Sequence, residues 1–242
     1  MLHHQNSEHL LQILIVSLAP SLLNCHFSAE PLTAKVQRNS INQVRITLES
    51  SLFLPLIFIL FAYLLGSFSS AITLSRIMGF ADPRSEGSNN PGATNVMRIA
   101  GKKAAALTLA ADLLKGFIPV MLAGYFLSDP LFVAATGLSA FLGHCFPIYY
   151  QFKGGKGVAT AIGFILAFDW VSGFSVVAIW LIVAKVFKLS SLAALIAFIC
   201  LPFIYYTLYG EITISGLLLA MTLILSYRHK ANIRRILNKQ ER

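Results

Sequence analysis

Charge is what this 242-residue chain has least of: Asp, Glu, Lys and Arg together make up 12% of it, about half of what soluble domains carry. With hydrophobic residues at 56% and a mean hydropathy of +0.71, that shortage excludes an ordinary soluble domain and a disordered or fibrous chain alike. Cysteine is confined to Cys25, Cys145 and Cys200, odd in number and far apart, which excludes a disulfide framework and metal-ligand spacing and leaves buried free thiols. Carboxylates are too sparse for a metal array: Asp112, Asp129 and Asp169 stand alone, so no metal site is expected. None of His3, His4, His9, His26, His144 and His229 is followed by Asp in the His-x-x-x-x-Asp spacing of a base and its orienting carboxylate. His144, before Cys-Phe-Pro147, reads as a satisfied structural imidazole.

Long apolar runs are present instead, over residues 52–78, 104–127, 131–150, 158–184, 189–208 and 212–227. Each is close to, or a little short of, the roughly 20 residues that a spanning helix needs. The fourth run holds Asp169, Trp170 and Gly173 near its middle. A carboxylate at mid-bilayer costs about 2.5–3.5 kcal/mol, so a break into two helices is expected there.

The excess of 19 Lys+Arg over 10 Asp+Glu would suggest nucleic acid in a soluble protein; in a membrane protein it marks cytoplasmic loops, and no nucleic-acid partner is expected. With the break at Asp169, one side collects Arg84, Arg98, Lys102, Lys103, Lys153, Lys156, Lys185, Lys188 and the basic tail from Arg228. The other side collects Asp129, Asp169 and Glu211. The expectation is an all-α polytopic membrane protein: a seven-transmembrane-helix bundle over residues 51–242, N-terminus outside and C-terminus inside. Residues 1–50 stand apart, because Lys35, Arg38 and Arg45 would fall on the outer side and 10–23 makes a poor signal peptide. They read as a poorly ordered or mis-started extension.

The inner loops are not generic. The first, Asp82-Pro-Arg-Ser-Glu-Gly-Ser-Asn-Asn-Pro-Gly-Ala-Thr-Asn-Val-Met-Arg98, combines glycines that allow close backbone approach, the neutral groups of Ser88, Asn90, Thr94 and Asn95, and two guanidinium forks suited to phosphate. Turns are built from the same residue types, so composition alone leaves a capped turn open. The second, Phe152-Lys-Gly-Gly-Lys-Gly-Val158, places glycines and two lysines at a helix start, where amides, a positive helix end and ammonium groups converge on phosphate. It is not a Walker A loop, since Gly157 follows Lys156; a flexible basic loop is the plainer alternative. In the tail, Arg228-His229-Lys-Ala-Asn232-Ile-Arg234-Arg235, a polybasic segment binding lipid head groups is the plain reading. His229 and Asn232, three apart and so on one helix face, fit a pair of donors better. Ser190 and Ser191 complete a polar ring on that side.

Taken in order, Gly66-Ser67, the Arg84 to Arg98 loop, Gly143-His144 with Phe-Lys-Gly-Gly-Lys-Gly-Val-Ala-Thr160, and His229-x-x-Asn232-Ile to Glu241 resemble the acyl-phosphate:glycerol-3-phosphate acyltransferase family of bacteria, over roughly 52–242. The resemblance implies an inner-membrane bundle with a cytoplasmic-face active site. It further implies acyl transfer from acyl phosphate to the 1-hydroxyl of glycerol 3-phosphate, giving lysophosphatidate and phosphate as the first step of phospholipid synthesis. It assigns Ser88, Arg98, Lys156, Ser191 and His229 to glycerol 3-phosphate, with Asn90, Thr94, Asn95 and Asn232 lining the pocket. Gly154, Gly155 and Gly157 become the phosphate loop, and Glu241 a structural glutamate. Of these, Ser88, Arg98, Lys156 and His229 are expected to carry the catalysis. The implied partners are the two substrates, membrane lipid and the enzyme that supplies acyl phosphate; no cofactor is expected. Asn89 replaces a usual glycine, a position where Asn tolerates positive φ. Two other classes are compatible with inward-facing cations: an anion transporter, whose site would belong nearer mid-bilayer in repeated halves, and an assembly subunit, which would not need three polar loops.

Overall fold

The computed structural model describes residues 52–241; the extension expected over 1–50, with Cys25, lies outside the described residues. Among the described residues the secondary structure is helical, with no strand. In chain order the helices are α1 (Leu52–Gly66), α2 (Ser70–Met78), α3 (Ala93–Phe126), α4 (Pro130–Cys145) followed by a 3₁₀ turn (Ile148–Tyr150), α5 (Val158–Phe168), α6 (Trp170–Phe187), α7 (Ser190–Tyr209), α8 (Ile212–Arg228) and α9 (Lys230–Leu237). Four stretches are long and apolar enough to cross a membrane: α3, α4 with its turn, α6 and α7. The number rises to six if α1 with α2, bent by 40°, and α8 with α9, bent by 63°, each make one span. A seventh would have to be α5, whose 11 residues reach only about 16 Å at 1.5 Å per residue.

The break expected at Asp169 is present, and its cause is capping. The carboxylate accepts the Ser172 N–H at 2.9 Å and the Tyr209 hydroxyl at 2.7 Å, so it ends α5 and starts α6. Asp129 does the same for α4, accepting Leu131 N–H at 2.8 Å ahead of Pro130.

Helix α3 begins eleven residues earlier than the apolar run beginning at residue 104: Ala93 opens it, and Gly101, at φ 79° and ψ −175°, turns it between an N-terminal arm and the long apolar part. Only glycine takes that backbone conformation without strain. Thr94, Asn95 and Arg98 therefore stand on a helical arm rather than in an open loop.

Small residues set how closely the helices approach. A Cβ at Gly116 would lie 2.1 Å from the Thr160 carbonyl oxygen, and one at Gly163 would lie 2.0 Å from that of Leu113, so α3 and α5 touch backbone to backbone. Gly66 meets the Ala140 carbonyl and Gly143 that of Tyr63 in the same way between α1 and α4. Phe141, Phe164, Phe198, Leu201, Leu218 and Met221 fill the core between these contacts. Gly163→Val should force α3 and α5 apart and lower the thermal midpoint in detergent, an overpacking cost of about 1–3 kcal/mol. Gly124→Ala, whose nearest neighbour would be Val133 Cγ1 at 3.9 Å, should leave the midpoint unchanged.

Candidate active site

The N-terminal arm of α3, the segment before α5, the start of α7 and the elbow between α8 and α9 surround a cavity of about 310 Å³. Ten of the twelve residues expected at a site line it: Ser88, Asn90, Thr94, Asn95 and Arg98 from the first loop and arm, Lys156 and Gly157 ahead of α5, and Ser191, His229 and Asn232 from the far wall. Gly154 and Gly155, just ahead of Lys156, are not among the lining residues. The Gly155 N–H donates to the His144 carbonyl at 3.1 Å, and both glycine carbonyls accept from Arg228. The Gly155 amide and both glycine carbonyls are thus committed to the loop's own shape, and Lys156 and Gly157 line the cavity.

Asn95 organises the first loop. Its Nδ2 donates to the carbonyls of Pro83 and Glu86, both at 2.9 Å, and its Oδ1 accepts the Ser88 N–H at 2.8 Å. Gly87, at φ 63°, leaves room for that carboxamide. Asn89 takes φ 56° as expected of the residue type. The side chain of Asn95 is therefore consumed in building the wall, and Ser88 is placed at the cavity by it.

On the opposite side, Glu241 gathers three donors: the Ser191 hydroxyl at 2.9 Å, the Asn232 amide and the Arg235 Nε at 2.6 Å. Burial pulls the Glu241 carboxyl up, but those hydrogen bonds outweigh it and hold it below the usual carboxylate range. Asn232 keeps a buried Oδ1 with no hydrogen-bond partner among the described residues. His229 is at the elbow rather than on one continuous helix with Asn232. Its Nδ1, 2.8 Å from the Leu225 carbonyl, carries a proton and fixes the ring. Burial pushes the Lys156 ammonium down to about 8; Glu241 opposes the shift, and Arg235, Arg98 and Arg228 add to it.

Above this polar floor the wall turns apolar. Leu109 and Leu113 of α3, Ile162 of α5, and Val177 and Trp180 of α6 line this part.

With this geometry in place, comparison with known proteins is decisive. The family model described as glycerol-3-phosphate acyltransferase matches residues 56–239. The chain belongs to the glycerol-3-phosphate acyltransferase family. A glycerol-3-phosphate acyltransferase of Methylococcus capsulatus is 49% identical over 181 residues, covering 75% of this chain and 91% of that one. One of Thioalkalivibrio sulfidiphilus is 51% identical over 185 residues, covering 76% and 90%. Among solved structures, PlsY (YgiH), an integral membrane glycerol 3-phosphate acyltransferase, superposes in its glycerol 3-phosphate form with a TM-score of 0.75 at 35% identity, over 78% of this chain and 94% of that one. Its lysophosphatidic acid form gives 0.71 at 34% identity. This member of the glycerol-3-phosphate acyltransferase family is an integral membrane protein with several apolar helices.

Two features of this glycerol-3-phosphate acyltransferase family member were not visible in sequence. Asp112 does not stand alone: its carboxylate accepts the Ser70 hydroxyl at 2.9 Å, pairs with Lys115 at 2.8 Å and lies 3.6 Å from His144 Nδ1. His144 is buried but is not the satisfied imidazole expected: its Nδ1 has no hydrogen-bond partner among the described residues, and both it and Asp112 reach the cavity wall. Arg228 points to the glycine loop rather than to lipid head groups. Their partners are distant in sequence, and only the i, i+3 spacing of Asp112 and Lys115 offered a signal.

Proposed function

We propose that the protein transfers an acyl group from an acyl phosphate to the 1-hydroxyl of glycerol 3-phosphate, releasing lysophosphatidate and phosphate. The observation that carries this reading is one cavity that joins Arg98 and Lys156 to an apolar cleft between α3 and α6. A phosphorylated polar acceptor and a long acyl chain need that combination.

In this reading Arg98, Lys156 and Ser88 meet the phosphate end of glycerol 3-phosphate, and Ser191 Oγ and His229 Nε2, whose protons are placed on Glu241 and Leu225, accept from its hydroxyls. The unpaired Oδ1 of Asn232 suits a glycerol hydroxyl. The acyl chain runs between Leu109 and Leu113 on one side and Val177 and Trp180 on the other. The glycerol oxygen forms a bond to the acyl carbonyl carbon as the bond from that carbon to the phosphate oxygen breaks. The departing phosphate takes the hydroxyl proton and the bonding electron pair. The donor is a mixed anhydride with its own proton acceptor, so the protein's part is to neutralise two phosphates and align the reactants.

The polar part of the cavity comes from the α3 arm, the segment before α5, the start of α7 and the α8–α9 elbow, where the cations collect, whereas Asp169 and Tyr209 lie at the opposite ends of α6 and α7. The positive-inside rule then supports a cytoplasmic-face site in a seven-span bundle of the bacterial inner membrane, with the C-terminus cytoplasmic and α5 as the short seventh span. It also supports delivery of acyl phosphate from the inner side by the enzyme that makes it.

The test is phosphate release by purified protein given glycerol 3-phosphate with palmitoyl phosphate or with palmitoyl-CoA. Release with the acyl phosphate, matched by lysophosphatidate, is expected. Activity with the thioester alone would discard the donor assignment, and silence with both from folded protein would favour anion transport.

A further inference from the structure

We infer that Arg228 is a positioning residue for this reaction, a guanidinium fork that fixes the shape of the loop from which Lys156 reaches the substrate phosphates. The inference rests on the function proposed above. Arg228 Nε donates to the Gly155 carbonyl at 3.0 Å and Nη2 to the Gly154 carbonyl. Two successive carbonyls are thereby turned toward one cation and away from the cavity. The guanidinium lies over the Phe146 ring, 5.4 Å from its centroid, which holds its plane. From the other side His144 completes the grip: its carbonyl accepts the Gly155 N–H at 3.1 Å. A Cβ at Gly154 or Gly155 would lie 2.1 Å from the His144 carbonyl oxygen or Nε2 respectively. The two residues just before Lys156 are thus fixed front and back, and the ammonium is delivered from a rigid base.

A lysine could not replace this contact, because a point charge on a flexible stem neither spans two carbonyls nor stacks as a plane. Arg228 is also the last residue of α8, adjacent to His229. One side chain therefore ties the loop to the elbow that carries the opposite wall of the cavity. The field of Arg228 opposes the Lys156 ammonium but attracts a phosphate as well, so charge and shape are separated by Arg228→Lys, which keeps the cation and loses the fork.

The experiment compares full-length wild type with Arg228→Gln, Arg228→Lys and Arg228→Gly in detergent, using glycerol 3-phosphate and palmitoyl phosphate. Lys230→Gln, at a neighbouring cation stacked on Tyr227, serves as control. Arg228→Gln is expected to raise the KM for glycerol 3-phosphate and lower kcat/KM by about tenfold or more, the loss of two hydrogen bonds from a charged donor. Arg228→Lys should fall short of wild type, and Arg228→Gly should be partly restored by added guanidinium but not by urea. Folded Arg228→Gln with KM and kcat within about twofold of wild type, or Arg228→Lys equal to wild type, would overturn the role. If Arg228→Gln does not fold, the lysine variant and the guanidinium response decide. Inactive wild type would remove the reaction itself, an outcome distinct from active wild type with indifferent variants.

Discussion

Lys156→Met is expected to abolish acyl transfer while leaving the thermal midpoint at or above that of wild type. The ammonium lies in a mostly buried position facing Arg98, Arg228, Arg235 and Glu241, and burial with those three cations holds it down to about 8. A cation kept where the charged form is disfavoured does not stabilise the fold; its use is for an incoming anion. Methionine keeps the stem and removes the charge, so the empty site becomes easier to form and the loaded one far harder. Losing a desolvated partner of a phosphate costs several kcal/mol in the complex, enough to leave turnover near background. Phosphate release by Lys156→Met, set beside its melting curve, checks both halves.

The same lysine sets a pH signature. In the free protein its charge is lost as pH rises through about 8, so the KM for glycerol 3-phosphate should climb above that point, approaching tenfold per pH unit for a single proton. Stability moves oppositely. Between about 8 and the ordinary lysine value of 10.5 the unfolded chain binds more protons at this group than the folded one, so raising pH favours the native state. A fall in kcat/KM above pH 8 with an unchanged or rising thermal midpoint separates substrate loss from unfolding; a KM flat to pH 9.5 would show that Lys156 does not meet the phosphate.

How much of this could be read in sequence depended on whether a residue acts locally. Asp169 was legible because a carboxylate in an apolar run has few places to go, and capping a helix break is one of them. The cavity walls were legible as composition: amides, hydroxyls, glycines and cations gathered in a few polar segments. Asn95 was found but its work was not, since that depends on α3 starting at Ala93, which apolar patterning cannot see. Arg228 reads as the first cation of a basic tail until the fold brings it to carbonyls more than seventy residues away. The carbonyls of Gly154 and Gly155 turn to Arg228, which sequence could not announce, because a glycine gives no sign of where its peptide points.

Lys115→Met should be the most destabilising single change in the bundle, and the reason is the carboxylate it leaves behind. Lys115 Nζ pairs with Asp112 at 2.8 Å and donates to the Phe68 carbonyl at 3.0 Å, in the break between α1 and α2. Ser70, at the start of α2, donates to the same carboxylate. One buried ion pair thus ties that break to α3, at the height where His144 and the glycine loop begin. Removing the cation strands a charge in an apolar setting, a loss of about 3–5 kcal/mol, and leaves the Phe68 carbonyl unpaired. Asp112→Asn in the same chain removes the stranded charge while still accepting from Ser70. The double variant should therefore recover most of the thermal midpoint lost by Lys115→Met, as isosteric replacement of a buried pair is often near neutral. Its activity need not recover, because Asp112 also reaches the cavity wall. Melting curves of the two variants decide the point: a double variant no more stable than the single one would mean that Lys115 acts through Phe68 and packing, not through its partner charge.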